Sequence, residues 1–210
     1  MKKLIVLLLV VFFGVNLQSF SQAVDDRAVV PVSVTLNSIL RLNVESGGNI
    51  EFNFNTLEQY ESGISGIGEN DQYSTKLTIA SSVNWDLVMG AEDDGLVSTD
   101  DTTTEAGVMD LGYITYEVAY TGSDLDVGTT GDVDIPSSGN ATELLQLTDD
   151  MDPIIEAVGN NAGDVNKNEF RVDWACGSTD DNAIGRLLGS DLTGGRYSTN
   201  VFFILQPTGN

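Results

Sequence analysis

Apolar and polar residues alternate along most of this chain. In "VVPVSVTL" (29–36), Val30, Val32, Val34 and Leu36 are separated by Pro31, Ser33 and Thr35. That period of two is the pattern of a strand with one dry and one wet face. Further runs of β-branched and aromatic residues predict strands over 39–44, 50–54, 73–82, 84–89, 112–120, 169–176 and 196–205. Within them Ile50, Phe52 and Phe54 oppose Glu51 and Asn53, and Ile114, Tyr116, Val118 and Tyr120 share a face that leaves Tyr113 on the other. Gly47-Gly48 marks a tight reversal between two runs. Only Asn37-Ser38 separates the first run from the second, which predicts a hairpin within the domain; the alternative is an arm offered to a neighbouring subunit.

Helical pattern is sparse. "TLEQYESG" (56–63) has Thr56 as an N-cap, Gln59 three residues on and Gly63 as a stop, which predicts one or two turns. "DPIIEAVG" (152–159) places Pro153 in a first-turn position and reads as a second short helix, although Ile154 and Ile155 suit a strand equally. Residues 91–110 and 121–140 are rich in Asp, Thr and Gly and read as long surface loops. Together these elements predict an all-β fold: a two-sheet antiparallel β-sandwich, Ig-like or jelly-roll-like, with one or two short helical turns.

The first residues change the picture from fold to compartment. Lys2-Lys3, an apolar run from Leu4 to Val15, and Ser21 and Ala23 at −3 and −1 describe a secretory signal over 1–23, leaving 24–210 as a single domain. The run is too short to span a bilayer comfortably, and no transmembrane segment is expected in the mature chain. Without Lys2 and Lys3 the chain carries 7 basic and 32 acidic residues, a net charge of −25. Such a surface repels nucleic acid and anionic headgroups. The expected location is therefore secreted, extracellular or at the cell surface. Cys176 is the only cysteine, so no disulfide forms within the chain; it reads as a buried strand residue, with an intermolecular disulfide as the other reading.

Histidine is absent, which removes Ser-His-Asp and Cys-His catalysis and the commonest zinc and copper sites. "GISGIG" (63–68) satisfies neither a nucleophile elbow nor a dinucleotide fingerprint. Paired carboxylates remain, with Glu169 and Asp173 four residues apart on one strand face, where a solvated sheet face is the plainer reading. "DVNKNEFRVDWA" (164–175) opens like a calcium loop with Asp164, Asn166 and Asn168, but Glu169 and Ala175 stand where a glycine and a bidentate glutamate belong. It reads as a turn before a strand. Weak Ca²⁺ binding by Asp93-Asp94, Asp100-Asp101, Asp124/Asp126, Asp132/Asp134 and Asp149/Asp150/Asp152 stays open as loop stabilisation; no other cofactor is expected, and no catalytic residue is assigned. Trp85 and Trp174 lie inside strands and read as core residues rather than a sugar-stacking platform. The lone sequon is Asn140-Ala141-Thr142.

Trp85-Asp86-Leu87 in a strand resembles the Trp-x-Leu of secreted bacterial WxL-type surface domains. Gly195-Arg196-Tyr197, followed by Val201, Phe203 and Leu205, resembles the last strand of spore-coat-U-like and other pilin-type subunits. Phe202-Phe203-Ile204 stands where a WxL domain carries its second Trp-x-Leu. The resemblance implies a secreted, non-enzymatic surface β-sandwich. The expected function is thus a structural or adhesion protein that self-associates or meets other surface proteins. It would assemble by strand addition with Val30, Val32, Val34 and Leu36 filling a neighbour's pocket. The alternative is a glycan-binding module or a small carboxylate-dependent glycosidase.

Overall fold

A computed structural model describes residues 30–68, 71–100, 107–136, 144–179 and 183–208. The signal segment and the sequon lie outside the described residues. Asn37–Asn210 make one compact unit, and residues 30–36 are described by themselves.

In chain order the described elements are β1 (Leu40–Ser46), α1 (Leu57–Ser62), β2 (Ile64–Ser65), β3 (Ser74–Ser81), β4 (Trp85–Ala91), β5 (Gly95–Ser98), β6 (Met109–Asp110), β7 (Ile114–Tyr120), β8 (Val133–Asp134), β9 (Leu145–Gln146), β10 (Asp152–Ala157), β11 (Glu169–Cys176), β12 (Tyr197–Ser198) and β13 (Val201–Pro207). All named pairings are antiparallel. One sheet runs β1-β3-β11-β7-β9, with β2 also on β11; the second runs β13-β4-β10-β8; a small third runs β12-β5-β6. The fold is the all-β sandwich that the alternation predicts.

The core lies between the two large sheets. Leu77 and Ile79 of β3, Tyr116 and Val118 of β7, and Phe170, Val172 and Trp174 of β11 meet Trp85, Leu87 and Met89 of β4 and Ile154 and Ile155 of β10. Trp85 crosses from one sheet to the other by packing edge-on against Phe170, with ring centroids 5.8 Å apart. Both tryptophans are buried, as their strand positions predict.

α1 forms where its caps predict. The Thr56 hydroxyl accepts from the Gln59 N–H, the Gln59 side chain accepts from the Thr56 N–H, and Gly63 ends the helix at φ 77°. Gly47 also has positive φ, 70°, and packs so closely on the Ser74 carbonyl that a Cβ there would overlap it.

Four expectations need correction. Residues 152–157 form the strand β10, not a helix, because Ile154 and Ile155 are both fully buried, a demand met here by a strand between β4 and β8 with irregular register at Pro153/Ile155. Residues 50–54 keep their alternation but join no ladder; Phe52 stacks on Tyr73 and Phe54 tilts against Tyr60, so side-chain packing holds them. The acidic stretches are not wholly surface loops, since they contribute β5, β6 and β8 and bury Met109, Leu125, Val133 and Ile135. Tyr113 belongs to a 3-10 turn and packs against the core, so it is no isolated exposed ring.

Candidate functional site

The first apolar row is described from Val30, and none of its residues 30–36 enters a strand. Among the described residues the run before Asn37-Ser38 is not a strand, so the two strands of the predicted hairpin are not both present. Val30, Val32, Val34 and Leu36 are 78, 86, 78 and 90% exposed. Four adjacent alternating hydrophobes left in water are unlike the scattered exposed leucine of an ordinary surface. Immediately after this arm the chain is pinned: the Ile39 N–H donates to the Ser82 hydroxyl and the Ser82 N–H donates to the Ile39 carbonyl.

The sandwich itself is closed unevenly at its two lateral edges. At the β8 and β9 edge the inward residues Val133, Ile135, Leu144 and Leu147 are buried. At the other edge the terminal strands β1 and β13 lie close to each other, one from each sheet. Their inward-facing rows, Leu40 and Leu42 on β1 and Val201, Phe203 and Leu205 on β13, are only half-buried although they pack on the core, and Val44 is exposed. In register Leu42 sits beside Ile79 and Phe203 beside Met89, so these rows continue the buried layers of β3 and β4 toward solvent. The result is an apolar seam along one side.

The carboxylates are arranged for structure. Asp173 is buried, contrary to the solvated face its alternation predicts. One of its oxygens accepts from the Ser74 hydroxyl; the other accepts from Arg171 Nε at 3.0 Å and Nη2 at 2.8 Å. Both oxygens are therefore occupied by donors of its own sheet. Glu169 is half-buried and within 3.4 Å of the Thr121 hydroxyl; the carboxylate directly across from Asp173 is Glu117, which the sequence pattern does not single out. Burial pushes the Glu117 carboxyl above its usual range; the negative charge of Asp173 adds to this and Arg171 opposes it.

Elsewhere acidic side chains satisfy local donors. Asp164 Oδ1 accepts from the backbone N–H groups of Asn166 and Lys167, the turn predicted before β11. Lys167 Nζ then donates to the Asn160 and Ala162 carbonyls, placing a cation in the stretch that opens like a calcium loop. Asp132 accepts from the Asp126 N–H, Asp152 from the Thr148 hydroxyl, and Asp100 from the Arg196 N–H. Among the described residues no three or more Cys, Asp or Glu side chains gather where a metal ion could be held.

Cys176 is buried at the end of β11, and burial pushes its thiol up to about 12. The thiolate is the reactive form. Native protein at pH 8 will therefore resist a thiol reagent, whereas denatured protein will take up one equivalent per chain. Rapid native labelling would contradict this placement and reopen an intermolecular disulfide through Cys176.

Among the described residues no helix is long and apolar enough to cross a membrane. No protein-family model and no curated protein matches this sequence.

Proposed function

We propose that this protein is an exported, non-enzymatic structural or adhesion subunit of a cell surface or extracellular filament, and that it joins a neighbour by β-strand addition through residues 30–36. The observation that carries this reading is the exposed row Val30, Val32, Val34 and Leu36, strand-patterned yet in no strand among the described residues. Burying four such side chains supplies roughly 6–12 kcal/mol of gross hydrophobic free energy. Part of that offsets the lost freedom of association. The signal-like N-terminus and the resemblance to WxL-type and spore-coat-U-like domains support the same reading. Support for a glycan-binding module or glycosidase is weaker, because both tryptophans lie in the core and Asp173 is already saturated by Ser74 and Arg171.

The test is the solution mass of the exported chain beside a Val32→Asp/Val34→Asp variant. Wild-type protein should form oligomers, and more of them as salt screens the repulsion between strongly acidic copies. The variant should be a monomer with an unchanged circular dichroism spectrum and melting temperature, because the altered side chains are exposed. A monomeric wild type, or a variant that assembles equally well, overturns strand addition. A variant that unfolds would make residues 30–36 an internal strand.

A further inference from the structure

Among the described residues β13 is the one long edge without the usual protection against pairing. Natural edge strands are kept short, charged, bulged or interrupted by proline, because an unpaired row of N–H and C=O groups is a template for another strand. Among the described residues the other edges follow that rule. β8 and β9 are two residues long, as are β6 and β12 of the small sheet. β1 is seven residues long but carries Arg41 and Glu45 and has a register shift between Val44 and Ser46. β13, "VFFILQP", is also seven residues long, holds no charge, and has its proline only at the last position. Its register with β4 is unbroken from Val201↔Ala91 to Pro207↔Trp85, so one side is fully laddered and the other is the sheet's outer edge. Phe202 and Ile204 on its outer face are 43 and 42% exposed, while Val201, Phe203 and Leu205 line the seam.

We infer that the free edge of β13 is the acceptor for residues 30–36 of a second copy of this chain, whose Val30, Val32, Val34 and Leu36 fill the seam between β13 and β1. The inference rests on the strand-addition reading and names its partner and its site. Three features of the arm select this occupant. Residues 30–36 match the seven-residue length of β13 and, like it, carry no charge, so two strongly acidic molecules meet through their neutral segments. Alternation also fits: in a strand, residues that share a side-chain face also direct their backbone groups to the same neighbour, so the apolar row can enter the seam while bonding to β13. Pro31, which has no N–H to give, then turns its backbone outward, where a strand tolerates proline. Finally, a fold-back within one chain through Asn37-Ser38 would bring the arm onto β1, to which it is directly joined, and β1 is the bulged, charged edge.

The experiment mixes two differently tagged full-length chains under mild oxidation, one with Ser33→Cys and the other with Ile204→Cys. Both positions are central in their segments and point to the outer face, so parallel and antiparallel addition each bring them together. Cys176 is buried in both chains and does not compete. A partner chain with Asn43→Cys, on β1, is the comparison. The expected result is a disulfide between the two tags for the Ser33/Ile204 pair, in several-fold excess over the Ser33/Asn43 pair. A mixed disulfide formed mainly with Asn43→Cys overturns β13 as the acceptor while leaving strand addition standing. Oligomers by light scattering without either disulfide overturn it in the same way. If every mixture stays monomeric, both this inference and the strand-addition reading fail.

Discussion

Replacing Asn161 with alanine will destabilise the sandwich by about 2–6 kcal/mol and lower its melting temperature by on the order of 10 °C. Asn161 is fully buried and serves one residue, Trp85, from three directions. Its Oδ1 accepts from the Trp85 backbone N–H at 3.1 Å, its Nδ2 donates to the Trp85 carbonyl at 2.7 Å, and its own carbonyl accepts from the Trp85 indole at 3.0 Å. The β10–β4 register ends at Ile155↔Leu87, so the side-chain amide takes the place that a further strand residue would hold beside Trp85. Alanine leaves a buried N–H and a buried C=O without partners, and each orphaned group costs about 1–3 kcal/mol. The Asn161→Asp variant separates hydrogen bonding from size. It fills the same volume but offers the Trp85 carbonyl an oxygen instead of a donor, so thermal unfolding should find it no more stable than the alanine variant. Near-wild-type stability of Asn161→Asp would contradict this account.

The second large effect is expected at Arg171. Its guanidinium supplies two of the three hydrogen bonds that hold the buried Asp173 carboxylate, and Arg171→Met leaves that charge with the Ser74 hydroxyl alone. Removing one partner of a buried pair typically costs about 3 kcal/mol. Adding Asp173→Asn to the same chain should recover part of the loss, because no buried charge then remains unpaired. The pH dependence has a defined sign. Glu117 already has a raised carboxyl, and losing Arg171 removes the one influence that lowers it. A carboxyl raised in the folded state binds its proton more tightly there than in the unfolded chain, so stability is lost as pH rises through the raised value. The gap between Arg171→Met and wild type should therefore narrow as pH falls from neutral toward 4.5, the ordinary value of that carboxyl. A gap that widens in acid would contradict the assignment.

What the sequence makes legible follows from how local each determinant is. β3, β4, β7, β11 and β13 are long enough for alternation alone to mark them, and α1 is written in a capping box and a glycine. β10 is not, because two adjacent isoleucines, both fully buried in the core beside an irregular register, erase the period. β8 and β9 are two residues each, held by partners far away in the chain, and no local pattern can be seen in two residues. Asn161 looks like one more turn residue in "GNNAGD", and only the position of Trp85 shows that its amide replaces a piece of backbone. Asp173 looks wet by alternation, yet Ser74 and Arg171 cover it. The arm is the informative case. Its pattern says strand, and a pattern of alternation carries no record of which chain supplies the partner.

The most direct measurement of the central claim is hydrogen exchange at the amides of residues 32–36, followed from dilute to concentrated wild-type protein. If the arm becomes a strand only in a neighbour, these amides exchange at free rates in the dilute monomer and become protected as oligomers form, in step with the outer edge of β13. Protection that is equal at every dilution would place the strand within its own chain, and free exchange inside the oligomer would take the arm out of the assembly altogether.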